Sequence, residues 1–476
     1  MGKYSIHEIL SEGTQKFKGH EYIFERNGNT FEGVTYDRFA VDVQRTASAL
    51  ISMGLLGQNI IIIGGNSYNY TVADTAVMGY VGVSCTLSKE WSALDIINAA
   101  ELLDAGAVIY SRQNEASINA LREKFPKLTY IVLEELLQLK NESTSPLIPT
   151  DSCECCKIIF SSGTTGMPKA VMLSQDNMFA NYENLCRRTP FTPQDKDYLF
   201  LPLSHTYGGI CNFLYSLISG MSIYLCSDTK LILEELQMVK PTVFCAVPLI
   251  FEKLYYACTE GNIPPSAALG GNIRYLFCGG AYFRPEIRRY LKNAGLNLLE
   301  AYGLTETSSL ISCEYTEPND FESAGIIMEN IEVRIDSPDE NGTGEILVRG
   351  DNVFSGYFLN EAATVNAFDS EGFFRTGDLG FIKDGRLYLK GRKRRMILLS
   401  NGENVFPDEI EGLFTDYPQI SRVKIFERDR RIHASFYAVS EVSCESIIDE
   451  VNEKLPKYAR IQTYDIIADS IDTRLK

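Results

Sequence analysis

Apolar residues recur at helical spacing over residues 36 to 54, where Phe39, Val43, Ala47 and Leu50 share one face. Glycines at 54 and 57 stop that helix, and an uninterrupted apolar run at residues 60 to 63 follows as a buried strand. Residues 71 to 82 predict a helix of small residues, residues 94 to 104 another, and residues 107 to 110 the next strand. Helix and apolar strand keep alternating to about residue 310, the pattern of parallel sheets covered by helices. Residues 137 to 154 are polar and proline-bearing, a surface connector. From about 330 to 390 the grain changes to short β runs at 332 to 335, 345 to 348 and 386 to 389, with Gly-rich turns that suggest a small barrel or meander. Beyond Gly391 the pattern predicts a compact α+β unit: a helix at 408 to 414, strands at 423 to 426 and 433 to 437, and a helix at 445 to 455.

The expected fold class is therefore α/β. A large N-terminal region of sheets covered by helices, with a small β-barrel-like part, is followed by a small α+β C-terminal domain. The boundary is expected at residues 391 to 395, giving an N-terminal domain of 1-390 and a C-terminal domain of 391-476. Hydrophobic content of 45% and charged content of 22% suit a soluble globular enzyme of several compact parts. A net charge of −17 argues against a nucleic-acid or anionic-membrane partner through bulk electrostatics, so any anion site must concentrate cations locally. The densest basic run, Arg392-Lys393-Arg394-Arg395, sits at the composition break; it reads either as a solvated face or as such a site.

Twelve cysteines scattered through apolar runs indicate reduced, cytoplasmic usage. Cys153, Cys155 and Cys156 cluster, but no histidine stands nearby at zinc-ligand spacing, so a packed strand edge is expected there. No secretory leader is read at the start, and no apolar run is long enough to be an integral membrane segment.

Residues 157 to 174, KIIFSSGTTGMPKAVMLS, carry the strongest chemical signal. A β-rich run opens into Ser161-Ser162-Gly163-Thr164-Thr165-Gly166, where two glycines and four hydroxyls make a donor-rich loop. Backbone N–H groups approach phosphate closely where no Cβ intervenes. Lys169 adds a mobile cation suited to a β- or γ-phosphate. Pro168 and the return to strand character exclude a Walker A element, leaving a strand–loop–strand phosphate clamp or a Ser/Gly-rich connector.

Further motifs follow in order. Leu201-Pro202-Leu203-Ser204-His205-Thr206-Tyr207-Gly208-Gly209 sets a lone histidine after a strand. Phe277-Cys278-Gly279-Gly280-Ala281 ends a strand in two glycines, where backbone can lie flat against an adenine ring. In Ala301-Tyr302-Gly303-Leu304-Thr305-Glu306, Tyr302 offers a stacking face, Thr305 a hydroxyl for an α-phosphate and Glu306 a hard carboxylate for Mg²⁺. Thr376-Gly377-Asp378 supplies an aspartate after a tight turn, suited to two ribose hydroxyls, with Arg392 approaching the same ribose. Ser400-Asn401-Gly402-Glu403-Asn404 forms the last loop.

Six motifs in this order resemble the adenylate-forming (AMP-binding) superfamily across essentially the whole chain, with wording closest to bacterial long-chain acyl-CoA synthetases. The resemblance implies ATP-dependent, Mg²⁺-assisted activation of a carboxylic acid to an acyl-adenylate, then thioester formation with CoA, in an acid–thiol ligase. A medium- or long-chain fatty acid is the expected substrate. An acyl-AMP ligase loading the phosphopantetheine of an acyl or peptidyl carrier protein, and a catalytically weakened acyl- or nucleotide-binding homologue, are the alternatives. The nucleotide site would comprise Ser161 to Gly166, Gly279, Gly280, Ala281, Ala301, Tyr302, Gly303, Asp378, Arg392 and Gly402. Lys169, His205, Thr305, Glu306 and Lys476 would be catalytic, with Glu306 and Thr165 on the metal. His205 and Tyr207 would line the acyl pocket. Amino-acid-activating relatives carry an aspartate there, and none stands between Leu199 and Leu217, so α-amino acids are disfavoured.

Two positions depart from the family pattern. The hinge, usually Asp or Lys, is Arg394. The family's final Thr-x-x-Gly-Lys aligns on Thr473-Arg474-Leu475-Lys476, with Lys476 as the bridging lysine; a one-residue shift puts Lys476 at the glycine instead.

Overall fold

The computed structural model describes residues 4–140, 146–161, 168–315, 320–399, 404–414, 417, 420–429, 431–438 and 444–468. They form two compact units. The first holds the chain to Phe321, Gly325–Glu332 and Val348–Phe374; the second holds Glu322–Ala324, Val333–Leu347 and the chain from Arg375.

In the first unit, Thr35 caps the helix Tyr36–Ser52 by accepting from the Arg38 N–H, and Phe39, Val43, Ala47 and Leu50 are buried along it. The next strand, Asn59–Ile63, pairs in parallel with Val83–Leu87 on one side and Ala107–Tyr110 on the other. Ile60 through Ile63 are fully buried, as expected of a strand covered on both faces. Val83–Leu87 also pairs in parallel with Cys155–Ser161, which turns back as the antiparallel strand Lys169–Ser174. Gly356–Tyr357 completes that edge against Lys169–Ser174.

Lys157 lies in this sheet with no exposed side-chain surface, and its Nζ meets Asp74 Oδ2 at 2.7 Å. Ser84 donates to the same carboxylate at 2.5 Å. The charges are matched and hydrogen-bonded, which is the condition under which a buried pair persists.

A second sheet of this unit orders its strands Ile326–Ile327, Ser312–Cys313, Leu298–Tyr302, Tyr275–Gly279, Val243–Ala246, Lys196–Leu199, Ser222–Leu225, Glu21–Asn27, Thr30–Thr35. From Leu298–Tyr302 to Glu21–Asn27 the pairings are parallel. Phe244, Phe251, Leu276 and Leu298 are among the residues packed against one another under its helices. Parallel strands align all their C-terminal ends on one edge, where open α/β sheets bind ligands.

The second unit contains the larger part of the strands ordered Ile331–Asp336, Gly344–Gly350, Phe374–Lys383, Arg386–Arg392. Three of these match the β runs read at 330 to 390. The remaining segment corrects the local reading around Asp378, which lies inside a strand rather than after a tight turn. Gly377 does adopt φ +71°, but from Asp378 onward the chain is paired with Arg386–Arg392. Further on, Ile420–Arg428 and Arg431–Ala438 pair antiparallel, and Thr463–Ala468 joins the latter in parallel. The helix Cys444–Lys454 makes that crossover and buries Ile447, Ile448 and Val451 against Val423, Ile425 and Phe436. The strand Thr463–Ala468 has no counterpart in the sequence reading.

Candidate active site

The strand Cys155–Ser161 and the strand Lys169–Ser174 pair with Ser161 opposite Lys169, so the two ends of the donor-rich loop are fixed on one hairpin. Ser162, Gly163, Thr164, Thr165 and Gly166 lie outside the described residues, as do Gly402 and Lys476.

Lys169 Nζ sits 4.5 Å from the centroid of the Tyr357 ring. Tyr357 is held there because Tyr357 pairs with Val171 on the neighbouring strand. Its hydroxyl donates to Glu306 Oε1 at 3.0 Å. Both side chains are buried. Burial and the adjacent Glu306 charge push the Tyr357 phenol well above its ordinary range, so it stays protonated and remains a donor. One aromatic residue thus joins a cation from the hairpin to a carboxylate from a different sheet. Tyr357 was absent from the residues singled out by sequence; its signal was only a Gly-Tyr pair at a strand edge.

Glu306 stands in a short 3-10 turn, Thr305–Thr307, just beyond the strand Leu298–Tyr302. Leu304 N–H donates to Thr307 Oγ1 at 3.0 Å and fixes the turn's entry. Ser308 and Ser309 follow at φ 49° and 82°, unusual for residues with a side chain. The fully buried Asn352 holds this backbone: its amide donates to Leu310 O at 2.8 Å and Thr307 O at 3.2 Å, and Ser308 Oγ donates to Asn352 O at 3.0 Å. Strain of this kind persists only where surrounding contacts over-determine it.

Gly279 pairs with Ala301 at the C-terminal ends of two adjacent parallel strands. The predicted residues Gly279, Gly280, Ala281, Ala301, Tyr302, Gly303, Thr305 and Glu306 therefore fall on one edge. A Cβ on Gly279 would lie 2.7 Å from Ala301 O, and one on Gly303 would lie 1.9 Å from Ser309 O, so neither position accepts a side chain.

His205 is solvent-exposed, and neighbouring protein still desolvates its ring enough to lower its pKa. Two residues on, Tyr207 opens a π-helical segment, Tyr207–Leu214, and its ring lies beside Gly279, 3.6 Å from where a Cβ would stand. Tyr207 and Ala301 border a small cavity of about 20 Å³ that also touches Asp197, Asn212, Cys245 and Phe277. Asp197 lies just upstream of the stretch searched for an acidic residue, so that reading missed it. A single aspartate in a four-residue strand gives no periodic signal of facing inward.

In the second unit, Asp378 and Arg392 occupy directly opposed positions on antiparallel strands, and Arg392 Nε lies 2.8 Å from Asp378 Oδ1. Lys393 Nζ reaches Glu345 Oε2 at 2.8 Å, Arg395 pairs with Asp408 and Glu411, and Arg394 is exposed. The basic run is thus largely engaged with carboxylates of its own unit.

A family description, AMP-binding enzyme, matches residues 11–358. The long-chain-fatty-acid–CoA ligase FadD15 of Mycobacterium bovis is 28% identical over 461 residues, spanning 82% of this chain and 75% of that protein. The peroxisomal long chain acyl-CoA synthetase 7 of Arabidopsis thaliana is 25% identical over 529 residues, spanning 96% and 75% respectively. Among solved structures, the o-succinylbenzoate coenzyme A synthetase of Bacillus subtilis in complex with ATP and magnesium ion superposes with a TM-score of 0.85 at 23% identity, over 96% of this chain and 95% of that one. That last likeness carries the fold.

Proposed function

Since the chain belongs to the AMP-binding enzyme family and is an AMP-forming acid–thiol ligase, we propose that it activates an acyl or aryl carboxylic acid with ATP and passes the acyl group to CoA. The observation that carries this reading is the meeting of Lys169 and Glu306 on Tyr357, beside the strand ends Gly279 and Ala301. A cation and a hard carboxylate on one edge suit a metal-bound polyphosphate. A fatty acid is favoured by the names of the curated relatives.

In this reading the substrate carboxylate oxygen bonds to the α-phosphorus of ATP and pyrophosphate departs. The thiol of CoA then bonds to the acyl carbon, and AMP departs. Lys169 disperses charge on the phosphates, Thr305 binds the α-phosphate, and Tyr302 stacks on adenine against Gly279, Gly280 and Ala281. Asp378 and Arg392 hold the ribose. Magnesium is commonly held by one or two carboxylates plus substrate phosphates, and the buried Glu306 fits that donor set, with Thr165 as a second donor. When bound, the ion neutralises phosphate charge. Lys476 bridges carboxylate and α-phosphate, and Gly402 borders the thiol's approach after movement about Arg394. The division into 1-390 and 391-476 is part of this proposal, as is a cytoplasmic setting. Among the described residues no helix is long and apolar enough to cross a membrane.

The test is pyrophosphate release from ATP across a panel of acids, followed by addition of CoA or of a carrier protein. Release together with acyl-CoA formation supports the reading. Acyl transfer to the carrier alone makes the acceptor a phosphopantetheine, and no release with any acid refutes adenylation.

A further inference from the structure

The small cavity beside Tyr207 contains more polar chemistry than an alkyl chain needs. Asp197 and Asn212 are essentially without exposed surface, and Asn212 Nδ2 donates to Asp197 Oδ2 at 2.6 Å. Asp197 Oδ1, Asn212 Oδ1 and the Tyr207 hydroxyl have no hydrogen-bond partner among the described residues. The Asn212 amide N–H also donates to the Cys245 sulfur, which leaves Asn212 Oδ1 unmatched. Buried oxygens left unmatched are costly, and the residues that carry these three line the same small space.

Their position along the sheet separates them from the reacting end. Asp197 pairs with Val243, and Val243 with Tyr275, whereas the adenylate edge is Gly279 opposite Ala301. The four residue steps from Tyr275 to Gly279 correspond to ~13 Å along a strand. An α-substituent would sit beside the carboxylate, far from Asp197. A group at the opposite end of a medium-length acid would arrive next to it.

We infer that the acid this ligase activates carries a hydroxyl at the end remote from its carboxylate, received by the unmatched oxygens of Asp197 and Asn212. The inference rests on the adenylating reading above for the direction in which the acid lies. A hydroxyl satisfies an acceptor without bringing a full charge into surroundings that include Leu185, Val243 and Phe277, as an ammonium would. The cavity of about 20 Å³ holds no more than one or two waters, so the acid enters by displacing Tyr207. The π-helical segment that Tyr207 opens is the kind of irregularity often found at functional sites.

The experiment is calorimetric titration of the full chain with two matched pairs, decanoate against 10-hydroxydecanoate and cinnamate against 4-hydroxycinnamate. Binding is read directly, so the outcome does not depend on turnover; pyrophosphate release is measured in parallel and judges the adenylating reading separately. The hydroxylated member of at least one pair should bind about tenfold tighter or better. Asp197→Val should abolish that preference while binding the deoxy acid at least as well. Asn212→Leu serves the same purpose if the first variant does not fold. Equal binding within both pairs, a preference that survives the substitutions, tighter binding of 10-aminodecanoate, or binding of none of these acids would each overturn the inference. Equal binding would leave a buried water as the partner of these oxygens.

Discussion

Tyr357 donates a 3.0 Å hydrogen bond to Glu306, although the two residues are 51 positions apart and enter from different sheets. The same ring lies under Lys169 Nζ. Glu306 thereby acquires a fixed direction, and one ring contacts both the carboxylate and the cation. Preorganisation of this kind lets charge stabilisation act without reorganisation during reaction.

Removing the hydroxyl should therefore matter more than removing ring area. Tyr357→Phe keeps the face under Lys169 but frees Glu306, and pyrophosphate release should fall by roughly tenfold, as for loss of one hydrogen bond to a charged group. Lys169→Ala and Glu306→Ala should each fall further, by ~10²–10³, at nearly unchanged melting temperature. Parent-like turnover in both alanine variants would refute the assignment of this cluster to phosphate chemistry.

Lys476→Ala should stop adenylate formation yet leave thioester formation from a supplied acyl-adenylate intact. Gly402→Trp should show the opposite pattern by blocking the thiol's path. Measuring the two half-reactions separately checks both. A Lys476→Ala variant that adenylates at the parent rate selects the shifted alignment and another cation.

Lys157→Met should destabilise the first unit by ~3–5 kcal/mol, because Asp74 would keep a buried charge with its ion partner gone. The double variant Lys157→Met with Asp74→Leu should recover much of that loss. Denaturant unfolding of the three variants reads the coupling directly, and additive losses would contradict it.

Stability should also depend on pH through Asp197. Burial pushes its carboxyl up to about 7, opposed in part by the hydrogen bond from Asn212. An unfolded aspartate titrates near ~3.9, so between these values the folded chain binds the extra proton. Its contribution is complete below about pH 4 and is lost as pH rises through about 7. Asp197→Asn should flatten that part of the melting-temperature profile between about pH 4 and 7. An unchanged slope in the variant would show that other groups produce it.

The local elements that carry the proposed site were legible because each is set by neighbouring residues. The hairpin around the Ser/Thr/Gly loop, the strand ending at Gly279 and the turn carrying Glu306 each follow from a few neighbouring residues whose backbone preferences agree. Helix Tyr36–Ser52 and strand Asn59–Ile63 were likewise readable, since burial on one face or on both leaves a periodic trace. Asp378 was misread for the complementary reason: Gly377 signals a turn locally, but from Asp378 onward pairing with a later strand keeps the chain extended.

The sequence by itself determined the order of the motifs, the alternation of helices and parallel strands, and hence the edge on which the strands end. Only the tertiary structure decided that Tyr357 joins Lys169 to Glu306, that Asn352 braces Ser308 and Ser309, and that Asp197 faces a cavity. Each of these depends on strands or turns brought together from distant parts of the chain. Backbone pairing fixes such meetings through register, and register is a property of two segments at once, which no single stretch of sequence displays.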